Sequence, residues 1–102
     1  MKFLAVTSLK EDQKKVNDIF QQSGIPVYSV SKVIGHKDGH QPNLLDSWFS
    51  SGGEEFDSIF IFSFTDQDKA ENALHRINEY NSNTKTKFPI RAFMMPVEKF
   101  TY

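Results

Sequence analysis

The chain has 102 residues and 11.8 kDa, room for a single domain over 1–102 and no second core. Twelve Lys+Arg against thirteen Asp+Glu leave a formal net charge of -1, which excludes the basic footprint of a general nucleic-acid binder. Cysteine is absent, so disulfides, iron–sulfur clusters and thiolate zinc sites are excluded, and a cytoplasmic setting fits.

Met1 to Val6 is too short for a signal-peptide core before Thr7, Ser8 and Lys10, and no apolar run approaches the ~20 residues of a membrane span; membrane insertion is not expected. Lys2 to Thr7 predicts a first strand. Ser8-Leu9-Lys10-Glu11 has the spacing of a capping box and predicts a helix from Leu9 to Ser23, with Val16, Ile19 and Phe20 on its apolar face. Gly24 stands where a left-handed residue ends a helix, and Pro26 blocks continuation. Val27 to Ile34 predicts a second strand and Glu55 to Phe64 a third. Thr65-Asp66-Gln67-Asp68 opens a second helix with the stripe Ala70, Ala73, Leu74 and Ile77, ending at Asn81-Ser82-Asn83. Ile90 to Val97 predicts the last strand, stopped or bent by Pro96. The order β-α-β-loop-β-α-β gives the fold class α+β, a ferredoxin-like βαββαβ with a four-stranded antiparallel sheet and two helices on one face.

The third strand places Ile59 and Ile61 on one side and Phe60, Phe62 and Phe64 on the other, so both faces are apolar. Two helices cover only one face of a sheet, and an antiparallel sheet with a wet face should alternate apolar and polar residues. The expectation is that copies of the chain bury the open face. The competing expectation is that the loop or the C-terminal tail folds over it.

Residues 36–57 form a long loop between strands 2 and 3, far beyond the usual ~4–6-residue connection, so a functional role is expected. Leu44, Leu45, Trp48 and Phe49 share one side of a short turn that Asn43 could cap, and Ser50-Ser51-Gly52-Gly53 reads as a hinge. Trp48 and Phe49 are candidate partner-binding residues, because aromatic anchors dominate interfaces; the alternative is that they pack against their own assembly.

Several segments, in order, resemble the nitrogen-regulatory PII family. These are the turn Gly24-Ile25-Pro26, the strand Val30-Ser31-Lys32-Val33-Ile34-Gly35, the loop entry His36-Lys37-Asp38-Gly39-His40, and Phe93-Met94-Met95-Pro96-Val97-Glu98-Lys99 near the end. The resemblance implies a homotrimer with inward-facing sheets and a T-loop-like segment at 36–57. It also implies adenine-nucleotide sites in the intersubunit clefts and a regulated partner such as a membrane transport protein. The carry-over is partial. Gly35 matches, but Asp38 falls where a basic residue is expected. The connection Asn83-Thr84-Lys85-Thr86-Lys87-Phe88-Pro89 has two lysines and no glycine, and no loop tyrosine is present. With Tyr102 last, the family's basic tail is expected to be missing, and nucleotide binding altered or lost.

The candidate ligand-binding residues are accordingly Gly35, His36, Lys37, Gly39, Lys85 and Lys87. His36 and His40, flanked by Asp38, are candidate ligands for a divalent metal, against the plainer reading of solvated loop histidines; Glu54, Glu55 and Asp57 could complete such a site. Arg91 either binds an anion in an intersubunit cleft or pairs with Glu98 or Asp57. His75 is expected to be exposed. There is no G-x-S-x-G elbow and no phosphate-binding G-x-x-x-x-G-K-[ST] loop, so a non-enzymatic, PII-like trimeric regulator is the leading expectation. The alternatives are a dimeric α+β barrel enzyme of the monooxygenase or isomerase kind, with Trp48 and His40 turned inward, and a CutA-like metal-binding trimer.

Overall fold

In the computed structural model, which describes residues 1–35 and 56–101, the chain runs through β1 (Lys2–Leu9), a 3-10 turn (Lys10–Asp12), α1 (Gln13–Gln22), β2 (Ser29–Gly35), β3 (Phe56–Thr65), α2 (Gln67–Thr84) and β4 (Arg91–Pro96). β1 pairs antiparallel with both β3 and β4, and β2 pairs antiparallel with β3, giving the order β2-β3-β1-β4. This is the expected α+β ferredoxin-like arrangement.

Register decides which side chains share a face. Leu4 and Val6 of β1 lie beside Ser63 and Ile61 of β3, and they join Ile59 under the helices. Val16, Ile19 and Phe20 from α1, with Ala73 and Ile77 from α2, complete the core, and Ile25 and Ile90 seal it from the connections. The helical spacing of these positions is what makes one face of each helix apolar.

The connection after α1 follows from backbone chemistry. Gly24 has φ 78, and the N–H of Ile25 donates to Phe20 O at 2.9 Å while that of Gly24 donates to Gln21 O at 3.1 Å. That bonding pattern is a Schellman motif, and its apolar contact is supplied by the buried pair Phe20 and Ile25. The buried Ser63 hydroxyl donates to Val27 O at 2.6 Å and ties this connection to β3. At the start of α2, Asp66 is the N-cap, its Oδ1 accepting from the N–H of Lys69 at 2.9 Å.

The expected capping box at Ser8 and Glu11 does not form. Ser8 remains in β1 opposite Ile59, and its hydroxyl donates to Leu9 O at 3.0 Å. A ladder of main-chain bonds to β3 prevails over a single side-chain cap, so the helical turn starts only at Lys10 and the α-helix at Gln13. Asp12, just ahead of α1, makes no cap bond. Partial burial, and then the neighbouring Glu11, raise its carboxyl above the ordinary value of 3.8. α2 also runs past the expected stop to Thr84, and Lys85 caps it in the left-handed region at φ 50.

Two backbone positions give opposite predictions. Gly24→Ala should cost about 1 kcal/mol, because the added Cβ meets only the flexible Lys69 side chain, at ordinary contact distances of 3.6 and 3.9 Å, and the penalty is conformational. Lys85→Gly should stabilise by about 1 kcal/mol by relieving the same penalty. Urea midpoints at unchanged m-value read both. For Asp12, the raised pKa contributes stability that is full below pH 3.8 and is lost as pH rises through the folded-state value. Asp12→Asn should therefore raise stability at pH 7 and remove that loss, as read by midpoints measured from pH 3 to pH 7.

Candidate functional site

The face of the sheet opposite the helices is built by the alternate residues of each strand. Phe3, Ala5 and Thr7 of β1 lie in register with Phe64, Phe62 and Phe60 of β3, and with Met95, Phe93 and Arg91 of β4. The rings touch in a chain: Phe60 to Phe62 at 5.5 Å, Phe62 to Phe3 at 5.8 Å, and Phe3 to Phe64 at 5.2 Å between centroids. Ala5 lies between Phe62 and Phe93 and is buried by them, while Phe64, Phe93 and Met95 stay 58%, 39% and 43% exposed. With residues 97–101 in place, Phe64, Phe93 and Met95 stay partly open. The alternation expected of β3, isoleucines on one side and phenylalanines on the other, is the alternation observed, with the isoleucines under the helices.

A cleft of about 370 Å³ runs along the outer edge of β4, between that strand and α2. Leu74, Ile77, Ile90 and Ala92 line it with apolar groups and Asn78 and Asn81 with carboxamides, while Arg91 and Phe93 border it along the strand edge with their side chains on the open-face side by register. Arg91 is exposed and forms no ion pair with Glu98 or Asp57 among the described residues. Its guanidinium therefore keeps a fork of donors suited to carboxylate or phosphate. The Asn81 carboxamide donates from Nδ2 to Ile90 O at 2.8 Å and accepts at Oδ1 from the Ile90 N–H at 3.0 Å, holding the start of β4 against the last turns of α2.

The sequence-predicted site residues fall in different places. Gly35 closes β2 opposite Phe56, so the segment 36–55 leaves and rejoins the sheet on one rung. His36, Lys37, Gly39, His40, Trp48 and Phe49 lie outside the described residues, as do Glu54 and Glu55. Lys85 and Lys87 are exposed on the connection between α2 and β4. Among the described residues no group of three or more His, Cys, Asp or Glu could hold a metal ion. His75 is exposed, as expected, and pairs with Glu79 one turn along α2. Sequence reasoning missed Asn78 and Asn81, whose value depends on a contact with a segment nine residues away; the only local signal was their place one turn apart at the end of a helix. Among the described residues no helix is long and apolar enough to cross a membrane.

No family model matches the chain, and no curated protein matches it in sequence. Its fold is similar to the crystal structure of a protein from Thermus thermophilus described as PII-like and signalling. The TM-score is 0.62 at 13% identity, covering 91% of this chain and 82% of that one. The chain therefore has a PII-like fold.

Proposed function

We propose that this chain is a non-enzymatic, PII-like cytoplasmic regulator. It assembles as a homotrimer through its open sheet face, takes a small ligand at clefts between subunits, and acts on a partner through residues 36–57. The observation that supports this reading most is the apolar face. Burying one Phe is worth ~1.5–3 kcal/mol, and a small domain has only ~5–15 kcal/mol of net stability, so leaving this cluster in water is a large loss. The sequence resemblance to the PII family implies a trimer with the sheets turned inward, and the likeness to a PII-like signalling protein is compatible with it. It also favours regulation rather than catalysis.

The ligand reading draws on the edge of β4 and the connection that leads into it. Arg91 supplies a cation without an ion-pair partner among the described residues, and Lys85 and Lys87 add positive charge on the adjoining connection. An adenine nucleotide, as the PII resemblance implies, would present phosphates to these groups. Gly35, His36, Lys37 and Gly39 would contribute the other wall of the site from the loop entry. His36 and His40 would be the ligands if a divalent metal is the effector instead. Trp48 and Phe49 would be the contacts to the partner, for instance a membrane transport protein. Ligand contacts that differ between two arrangements of the segment would shift its population and so signal occupancy.

Sedimentation at micromolar concentration should return about 35 kDa, three times the 11.8 kDa chain, and Phe62→Ser should shift it to monomer. A wild-type monomer would refute the assembly, and a dimer would favour the α+β barrel enzyme. If the β4-edge cations still take an adenine nucleotide despite the glycine-free connection, ATP or ADP at a hundred times its Kd should stabilise the wild type by about 2.7 kcal/mol in thermal unfolding, and Arg91→Ala should abolish the effect. If divalent metal raises the melting temperature instead, and the His36→Ala/His40→Ala pair removes that rise, the CutA-like reading gains.

A further inference from the structure

We infer that Asn81 is the positioning residue of the β4 edge, fixing the main chain from which Arg91, on the open-face side, reaches an anionic ligand; this rests on the ligand reading above. β4 is an edge strand, so one side of its main chain has no neighbouring strand within the chain. At the residue just before it, Asn81 takes the place of that neighbour. Its carboxamide meets both polar groups of Ile90, donating at 2.8 Å and accepting at 3.0 Å. A residue facing Ile90 in a hydrogen-bonded antiparallel pair would make the same two bonds. The pairing also fixes which end of the amide is oxygen, because Ile90 presents one donor and one acceptor.

The position of the two bonds matters. The Ile90 N–H belongs to the peptide plane shared with Pro89, and the Ile90 carbonyl to the plane shared with Arg91. Holding both planes sets the direction in which the chain enters Arg91. The Ile90 side chain is buried in the core at 2% exposure, so the clamp has a fixed base. Arg91 itself forms no ion pair among the described residues that would orient it from its far end. Its aim therefore depends on its backbone, and its backbone at this point depends on Asn81. The clamp also closes the base of the connection carrying Lys85 and Lys87, so it fixes where all three cations start.

The test is calorimetric titration of the full chain with ATP, comparing wild type, Asn81→Ala and Arg91→Ala, with Ile19→Val as a core variant of matched mild destabilisation. Asn81→Ala should bind about tenfold more weakly, and the Ile90 amide should exchange its hydrogen faster. Ile19→Val should lower the melting temperature and leave affinity unchanged. Asn81→Gln, which keeps both polar groups on a longer stem, replaces Asn81→Ala if the latter does not fold, and should weaken binding likewise. Wild-type binding that is lost in Arg91→Ala but kept in the Asn81 variant overturns the positioning role alone. An affinity loss equal to that of Ile19→Val overturns it as well. No Arg91-dependent binding in the wild type overturns the ligand reading, and the positioning role with it.

Discussion

Antiparallel pairing of Leu4 with Ser63 and of Val6 with Ile61 fixes the phase of the two central strands, and a slip of one residue would exchange their faces. In most sheets such a slip is forbidden because it would bring polar groups into the core. Here the outward set is also greasy, so hydrophobicity alone would not forbid it. Shape does: isoleucines and a valine fit between α1, α2 and the sheet, whereas the larger phenylalanines pack against one another on the free side, with Ala5 leaving room between two of them. The Gly24 turn, tied down through Ser63, and the Asp66 cap each bring a helix onto the isoleucine side, and so reinforce the same choice.

The ends of the elements are fixed by long-range polar contacts rather than by local propensity. Ser63 reaches Val27 across 36 residues of sequence, and Asn81 reaches Ile90 across nine. Both bonds stand where a connection re-enters the sheet. Each supplies a partner to main-chain groups that would otherwise enter a partly buried place unpaired. The cleft beside β4 exists because one of these contacts holds the strand to the helix end.

Much of this was legible in the chain itself. Period-two alternation from Ile59 to Phe64 has one structural meaning, and Asp66 and Gly24 are residues whose chemistry suits one end of a helix each. The core positions of both helices could be read from their spacing. Ser8 and Glu11 misled because a local motif was weighed without the ladder that claims Ser8 for β1. The cleft was harder to read. Its Asn78 and Asn81 and the neighbouring Arg91 come from two elements, and no spacing rule relates a helix end to the next strand across the six-residue connection 85–90. Lys85 and Lys87 drew notice through their charge, whereas Arg91, at the strand edge, was balanced against acids with which it forms no pair.

The rungs of the open face differ in character along the strands. Met95, Phe3 and Phe64 make one wholly apolar rung. Phe93, Ala5, Phe62 and Ser29 make the next, and Arg91, Thr7, Phe60 and Ser31 make a third that is mostly hydrophilic. The surface is thus a gradient of wettability rather than a uniform patch, and a gradient constrains symmetry. A rotation axis lying across the strands would set the oily pole of one copy against the guanidinium pole of another. An axis running along the strands matches like with like, gathering the rings at one pole and the arginines at the opposite one.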